Sequence, residues 1–190
     1  MQKEELRNHY LQQRKQLTTQ DITKLSKQIC ENFLSFAEEN LADWQQKKIA
    51  LYQHTKYEVS TAILQQYLQQ EKITYYLPKI KDLALEFYEF NQKIKLIANK
   101  KFPQILEPQS NNKCLPDLVI VPLVAVDKSF NRLGMGKGYY DRTLNKISAI
   151  SIGLAFDLQV YHQNFPQEKH DHQLDYVITE SKILRKHKEV

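Results

Sequence analysis

The sequence predicts an α/β fold: a single three-layer α/β/α domain over residues 1–190 with a mainly parallel central sheet. Three observations support this. Helical and strand-like apolar patterns alternate along most of the chain. The run Leu118–Val121 is continuously apolar and rich in β-branched residues, as is typical of the centre of a parallel sheet. The length fits one domain, and no internal repeat or linker divides the chain.

Two helices are predicted at the N-terminus, over residues 2–17 and 21–39. In each, apolar residues recur at helical spacing and so share one face. The first face carries Leu6, Tyr10, Leu11 and Leu17, and the second carries Ile22, Leu25, Ile29, Phe33 and Phe36. Residues 18–21 contain the break and the N-cap between the two helices.

The next part of the chain predicts strands around a third helix. Residues 49–52 are short and apolar enough for a buried strand, and Ser60 is a suitable N-cap for the helix that follows. Residues 73–77 form a second predicted strand, which we expect Pro78 to end because proline cannot donate to a strand ladder. Residues 85–90 alternate more strictly and predict a strand exposed on one face.

The second half predicts a loop and then further α/β units. Residues 102–116 contain three prolines and a polar stretch, which indicates a surface loop. After the strand Leu118–Val121 we expect a loop over 122–138 and a helix over 139–146. Two more strands are predicted at 149–156 and 176–179.

The charge of the chain makes an anionic ligand plausible but does not by itself separate a nucleotide from a nucleic acid. The net charge of +5 and the pI of about 9.0 are mildly basic, which suits either a nucleotide or a nucleic acid. A nucleic-acid-binding module with eleven tyrosines is the second hypothesis, but the basic residues form no continuous stripe. We therefore expect no nucleic-acid partner.

The two cysteines and the apolar runs bear on the compartment. Cys30 and Cys114 lie far apart with no CxxC spacing, so neither a zinc site nor a disulfide framework is indicated. Free thiols suit a reducing cytoplasm. The N-terminus lacks the apolar core of a signal peptide, and the longest apolar run is too short to span a bilayer. We expect a cytoplasmic monomer with no membrane partner.

The most informative segment is residues 132–141, Arg-Leu-Gly-Met-Gly-Lys-Gly-Tyr-Tyr-Asp. It holds three of the chain's four glycines, at Gly134, Gly136 and Gly138. Arg132 and Lys137 supply positive charge and Asp141 a hard oxygen ligand, which together suit a polyphosphate with bound Mg²⁺. The segment is not a Walker A loop, because a glycine follows the lysine, and it does not match GxGxxG. A tight glycine turn with incidental charges is the simpler alternative, and a non-catalytic or isomerase-type domain binding a sugar phosphate is another.

Residues 127–141 closely resemble the signature of the 5-formyltetrahydrofolate cyclo-ligase family, also called methenyltetrahydrofolate synthetase. The resemblance extends along nearly the whole chain. Lys3-x-x-Leu6-Arg7 is similar to the family's N-terminal basic motif, and Glu58-Val-Ser-Thr61 to its Glu-Val-Asp-Thr element. Downstream, Ile152–Phe156 and His170-Asp171 match in order and approximate spacing. The departures are small: Ser60 replaces the usual Asp, and Leu123-Val124 replaces a glycine-containing pair.

The resemblance implies an ATP-dependent enzyme that converts 5-formyltetrahydrofolate to 5,10-methenyltetrahydrofolate and releases ADP and phosphate. ATP would phosphorylate the formyl oxygen, and the neighbouring folate nitrogen would then close the ring. It implies ATP as co-substrate, Mg²⁺ as cofactor, and a reduced folate as the second substrate. Catalysis of this kind depends mostly on positioning and on neutralising phosphate charge.

The resemblance also implies site residues. Arg132 and Lys137 are the implied catalytic charge clamp. The implied ATP contacts are Lys3, Arg7, Arg132, Gly134, Met135, Gly136, Lys137, Gly138, Tyr139 and Tyr140. The implied folate contacts are Gln53, Glu58, Met135, Gly136, Lys137, Gly138 and Tyr139, with Glu58 accepting the paired N–H donors of the pterin.

Asp141 and Asp171 match the family's magnesium-binding carboxylates. Several of the implied assignments have a structural alternative. Asp141 could instead cap the following helix. Lys3 and Arg7 lie four residues apart on one helical face, and such a pair is usually a solvated charged stripe. The two tyrosines after the glycine loop could stack on a pterin, or one of them could belong to the core.

Overall fold

The computed structural model describes residues 2–168 and 170–186 and contains four α-helices and thirteen strands within them. In chain order these are α1 (Lys3–Gln16), α2 (Thr19–Asn40), β1 (Ile49–Ala50), α3 (Ala62–Gln70), β2 (Tyr75–Lys81), β3 (Ala84–Phe90), β4 (Leu96–Ala98), β5 (Leu106–Pro108), β6 (Lys113–Cys114), β7 (Leu118–Val121), β8 (Ala125–Asp127), β9 (Arg132–Leu133), α4 (Tyr139–Leu144), β10 (Ile150–Leu154), β11 (Val160–Tyr161), β12 (Tyr176–Ile178) and β13 (Ile183–Arg185). Single 3-10 turns lie at Trp44–Gln46 and Asp157–Gln159.

The central sheet has the strand order β13-β12-β10-β7-β1-β2-β3-β6. The five strands from β12 to β2 are mutually parallel, and antiparallel strands are added at both edges. β7 lies near the middle and all four of its residues are buried, which is why its sequence is continuously apolar rather than alternating. The mainly parallel sheet is therefore confirmed.

Helices cover both faces of this sheet, which confirms the three-layer architecture. On one face α2 and α3 pack against alternate strand residues in the largest core cluster, whose members include Ile29, Phe33, Leu64, Leu118 and Ile152. On the other face the core contains α4, Val119 and Val121. A small sheet in the order β11-β8-β9 packs beside it. Leu6 and Tyr10 attach α1 to this small sheet through Ala125, Leu133 and Phe165.

The expectation that Pro78 ends the second strand is wrong, because β2 continues to Lys81 and Pro78 pairs with Phe87. The reason is the side of the strand that the Pro78 nitrogen, which has no N–H to donate, faces. The Leu51 N–H donates to the Tyr76 carbonyl, so the backbone of Tyr76 faces β1, and the backbone of Pro78, two residues on, faces the same side. β1 ends at Ala50, so no strand requires an N–H at that position.

Other boundaries differ modestly from the sequence expectations. The third helix begins at Ala62 with Thr61 rather than Ser60 as its N-cap, and α4 ends at Leu144. The two predicted loops, 102–116 and 122–138, contain short strands. In the first, β5 pairs with β4 and β6 with β3; in the second, β8 and β9 pair with each other and β8 also pairs with β11. No helix within the described part of the chain combines the length and apolarity that crossing a bilayer would need.

Candidate active site

Helix α1 presents basic side chains to the rest of the site from one face. The Lys3 Nζ atom lies 2.6 Å from Asp171 Oδ2 and 3.2 Å from Glu168 Oε1. One turn later, the Arg7 Nε–H donates to the Gly134 carbonyl at 2.8 Å. The predicted basic pair is therefore directed at the glycine loop and at the loop carrying Asp171, and is not a solvated stripe.

The glycine loop, residues 134–138, is shaped by left-handed backbone at two positions. Gly136 has φ +80° and Gly138 has φ +65°, conformations that residues with a Cβ rarely adopt. Among the described residues, no acceptor is hydrogen-bonded to a backbone N–H of this loop. A run of unpaired N–H groups is a suitable cradle for an anion. Because α4 has only six residues, the loop N–H groups rather than the helix dipole provide this character.

A buried ion pair lies beneath the loop. The Arg132 Nη2 atom is 2.8 Å from Asp141 Oδ2, and Arg132 is only 9% exposed. Its guanidinium also lies over the Tyr140 ring, 5.4 Å from the centroid. Two buried atoms of the pair, Arg132 Nε and Asp141 Oδ1, have no hydrogen-bond partner among the described residues. Such atoms usually have partners in native structures, so this pair is a place where a ligand or ion would be accommodated.

The predicted carboxylates Asp141 and Asp171 approach the same region from different elements. Asn145, one helical turn after Asp141, donates to the His170 carbonyl at 3.0 Å and contacts His172 Nδ1 at 2.9 Å. The same face of α4 therefore meets the loop that carries Asp171. His172 also contacts Ser151 near the start of β10, so the site is not confined to the carboxyl edge of the sheet.

Lys137 and Met135 are the exposed side chains of the glycine loop, and Met135 is 61% exposed. The Lys137 Nζ atom lies 5.9 Å from the centroid of Phe102, whose ring makes an edge contact with Tyr139. No ion pair or hydrogen bond holds the Lys137 amine within residues 2–168 and 170–186. It is the cation of the loop that remains able to follow a ligand.

The predicted folate side is formed by the loop that follows β1. The Glu58 Oε2 atom accepts hydrogen bonds from the Thr55 N–H at 2.8 Å and the Thr55 hydroxyl at 2.9 Å, and the Gln53 Oε1 atom lies 3.5 Å from Gln65. Burial raises the pKa of the Tyr140 phenol, with an opposing effect of Arg132 and a further rise from Glu58. Glu58 therefore lies within electrostatic range of Tyr140 at the start of α4, and Tyr140 remains a neutral hydrogen-bond donor.

Magnesium would have few protein ligands here. No group of three or more His, Cys, Asp or Glu side chains within the described ranges is arranged to hold a metal ion. Mg²⁺ is nevertheless commonly bound by one or two carboxylates together with substrate phosphates and water. The unpartnered Asp141 Oδ1 fits that requirement. Asp171 fits less directly, because its Oδ2 already accepts from Lys3 and the Glu168 N–H.

Two residues at the site were not predicted. Arg14 is buried beside the Leu123 carbonyl, and its signal in the sequence was its position seven residues after Arg7 on the same helical face. Phe102 was assigned to a surface loop, and no local pattern connects it with Lys137. Phe102 meets Lys137 and Tyr139, and Arg14 meets the Leu123 carbonyl, only because segments distant in sequence come together.

Comparison with known proteins agrees with this geometry. The family model described as the 5-formyltetrahydrofolate cyclo-ligase family matches residues 1–180. The 5-formyltetrahydrofolate cyclo-ligase of Haemophilus influenzae is 35% identical over 180 residues, covering 84% of this chain and 94% of its own.

Solved structures give the same result. The 5,10-methenyltetrahydrofolate synthetase of Aquifex aeolicus superimposes with a TM-score of 0.82 at 29% identity, covering 100% of this chain and 95% of its own. The corresponding enzyme of Mycoplasma pneumoniae gives 0.70 at 27% identity and covers 95% and 99%. The fold, the loop geometry and these matches together show that the chain belongs to the 5-formyltetrahydrofolate cyclo-ligase family.

Proposed function

We propose that this protein uses ATP to convert 5-formyltetrahydrofolate into 5,10-methenyltetrahydrofolate, with release of ADP and phosphate. The observation that carries the proposal is the convergence of α1 on the glycine loop. Lys3 and Arg7 contact the Asp171 loop and Gly134, so cations border a run of unpaired N–H groups. The family match supports ATP as the co-substrate and a reduced folate as the second substrate.

The proposed chemistry has two steps. The formyl oxygen attacks the γ-phosphorus of ATP, the bond to the bridging oxygen breaks, and ADP leaves. The formyl carbon then carries a phosphate, which is a good leaving group. The neighbouring folate nitrogen attacks this carbon, the ring closes, and phosphate and the proton of that nitrogen are released. Both steps require alignment of two substrates and neutralisation of phosphate charge.

The nucleotide side of the site has distinct roles for its cations. Lys137 is exposed and free of partners among the described residues, so we assign it to the transferring phosphoryl group. Arg7 and Lys3 border the loop and the Asp171 segment. Arg132 is buried and already paired, so its proposed role as a charge clamp acts through Asp141 and the loop backbone. When bound, Mg²⁺ would neutralise phosphate charge, and Asp141 and Asp171 would hold it.

The folate side is assigned to Glu58, Gln53 and the aromatic residues of the loop. The Glu58 carboxylate would accept the paired N–H donors of the pterin. Met135 is exposed at the loop and Tyr139 is partly buried, and both would contact the substrate. Tyr140 is also partly buried and lies beside Arg132. This distribution leaves the reactive formyl group between the Glu58 loop and the glycine loop.

The direct test is to mix the purified protein with 5-formyltetrahydrofolate and MgATP and follow the absorbance of the conjugated methenyl product. We expect product only when both ATP and magnesium are present. Absence of product with retained ATP binding would remove the folate assignment and keep the nucleotide site. Binding of a sugar phosphate without binding of ATP would instead favour the isomerase-type alternative.

A further inference from the structure

Arg14 is a buried cation with too few protein partners. It is 4% exposed, and its Nη1–H donates to the Leu123 carbonyl at 3.1 Å. The Nε–H is buried without a hydrogen-bond partner, and Arg14 forms no ion pair with any described residue. Burying a charge in this way is costly unless further groups satisfy it. An arginine has five N–H donors, so several remain available.

The position of Arg14 relates it to the other cations of α1. Successive helical residues are separated by about 100°, so positions 3, 7 and 14 fall within about 40° of one another around the axis. Lys3 faces the Asp171 loop and Arg7 faces the glycine loop. Arg14 is about 16 Å from Lys3 along the axis. It is therefore the third cation of one basic face, at the end away from the magnesium-binding candidates.

The surroundings of Arg14 are those of the proposed folate side. Burial lowers the pKa of the Arg14 guanidinium, and the nearby Glu58 carboxylate opposes this most strongly. Tyr52 donates to the Val59 carbonyl, next to Glu58 in sequence. Arg14 and Glu58 thus lie near one another without forming a direct ion pair, and a ligand with both donors and an acceptor could occupy both.

The pterin ring of a reduced folate has that pattern along one edge. Its 2-amino group and N3–H are donors, and its C4 carbonyl oxygen is an acceptor. The proposed Glu58 contact uses the two donors and leaves the carbonyl oxygen in need of a donor. A carbonyl oxygen accepts well from a guanidinium, and such charge-assisted hydrogen bonds are among the stronger ones.

We propose that Arg14 is a substrate-binding residue that donates a hydrogen bond to the C4 carbonyl oxygen of the reduced folate while Glu58 accepts the adjacent N–H donors. This inference rests on the proposed function and identifies the polar edge of the substrate that the site recognises. It assigns the two ends of α1 to different substrates: Lys3 and Arg7 to the nucleotide, and Arg14 to the folate.

The test compares Arg14→Met with the unmodified protein, using titration calorimetry with 5-formyltetrahydrofolate and, separately, with MgATP. We expect the folate Kd to rise about tenfold or more, as for the loss of one charge-assisted hydrogen bond, with the ATP Kd within about twofold. In turnover assays the folate KM should rise more than kcat falls. Arg14→Lys keeps the positive charge but lacks the planar N–H donors of the guanidinium, so it should restore part of the folate affinity. If the Met variant does not fold, the folate Kd of the Lys variant is the measurement that tests the proposal.

Gln159→Leu is the matched control, because Gln159 donates to the same Leu123 carbonyl at 2.9 Å and to that of Val124. If Arg14 merely attached α1 to this carbonyl, both variants would lower Tm and leave the folate Kd unchanged, and the inference would be wrong. A rise in the ATP Kd alone would also overturn it. If the unmodified protein binds no reduced folate, both the proposed function and this inference fail. If the unmodified protein binds folate and Arg14→Met binds it equally well, only this inference fails.

Discussion

Lys137 differs from the other cations near the glycine loop in having no fixed partner among the described residues. Lys3 is paired with Asp171, Arg132 with Asp141, and Arg7 is hydrogen-bonded to a backbone carbonyl. The Lys137 amine lies over the Phe102 ring, a weak contact that a phosphate could displace. A flexible, unpaired ammonium suits a charge that changes position during phosphoryl transfer.

Replacing Lys137 with alanine should lower kcat about 100-fold or more, because it removes charge stabilisation that develops during transfer. The side chain is exposed, so Tm should change little. Steady-state kinetics and thermal unfolding monitored by circular dichroism measure the two effects. Lys146→Ala removes another exposed lysine, two residues beyond the end of α4, and is the control. Near-normal turnover of the Lys137 variant would exclude the assigned role.

At the scale of elements, α1 connects stability with nucleotide binding. Leu6 lies between Lys3 and Arg7 in sequence, and its side chain is buried against the small sheet through Leu133 and Phe165. The basic residues reach the loops only while this packing holds the helix in place. A change in the buried face should therefore affect the charged face as well.

Leu6→Ala should cost about 2–5 kcal/mol of unfolding free energy, typical of truncating a buried leucine, and should also raise the KM for ATP. Urea unfolding and steady-state kinetics at a temperature where the variant is folded measure both. Ile29→Ala truncates a fully buried residue of α2 in the opposite layer. The Ile29→Ala protein should lose a similar unfolding free energy to the Leu6→Ala protein, but its KM for ATP should not change. Equal ATP KM values for both variants would contradict the connection.

The loop after β1 has a partly buried histidine, His54, with a predictable effect on stability. His54 Nε2 lies 3.1 Å from the Ser60 hydroxyl and Nδ1 lies 3.5 Å from that of Thr61. Burial lowers the pKa of His54, and Glu58 opposes this in part. Its folded pKa is therefore below the value of about 6.5 expected for the unfolded chain. As the pH falls through 6.5, the unfolded chain takes up this proton first.

We therefore expect His54 to reduce stability as the pH falls from about 6.5 towards its folded pKa. The measurement is urea unfolding at pH 7.5 and pH 5.5: His54→Gln should lose less stability between the two than the unmodified protein. Ser60→Asp, which restores the residue usual in the family, places a carboxylate beside Nε2 and should weaken the acid sensitivity. An identical loss in the unmodified and His54→Gln proteins would show that burial of this ring has no such effect.

At the scale of the whole molecule, ligand binding should stabilise the fold, because the site joins α1, the glycine loop, α4 and the Asp171 loop. A ligand at 100 times its Kd adds about 2.7 kcal/mol to the unfolding free energy. For a domain of this size that corresponds to a rise in Tm of roughly 5–11 °C.

Thermal unfolding should show this rise in Tm with MgATP. With ATP and a metal chelator, the rise in Tm should be smaller. Asp141→Asn should reduce the difference between these two rises in Tm, because it removes the carboxylate charge. The Oδ1 atom of this carboxylate has no hydrogen-bond partner among the described residues. The baseline Tm of that variant will fall, since Arg132 loses its carboxylate, so the comparison uses the increment produced by ligand. If magnesium added the same rise in Tm to the Asp141→Asn variant, Asp141 would be removed from the proposed metal site.

The expected monomeric state and cytoplasmic location stay predictions.

The sequence by itself determined the features that depend on local patterns. Apolar periodicity located α1 and α2, the unbroken run Leu118–Val121 identified the central strand, and the clustered glycines identified the loop. These signals are local because a helix face or a buried strand repeats within a few residues. The colinear motifs then indicated the family.

Only the tertiary structure decided which distant groups meet. It determined that Pro78 could remain in β2, because that depends on where β1 ends. It determined that Lys3 pairs with Asp171, 168 residues away, and that Arg14 is buried rather than solvated. Burial, desolvation and long-range pairing are properties of the packed chain, and local periodicity contains no information about which segments come together.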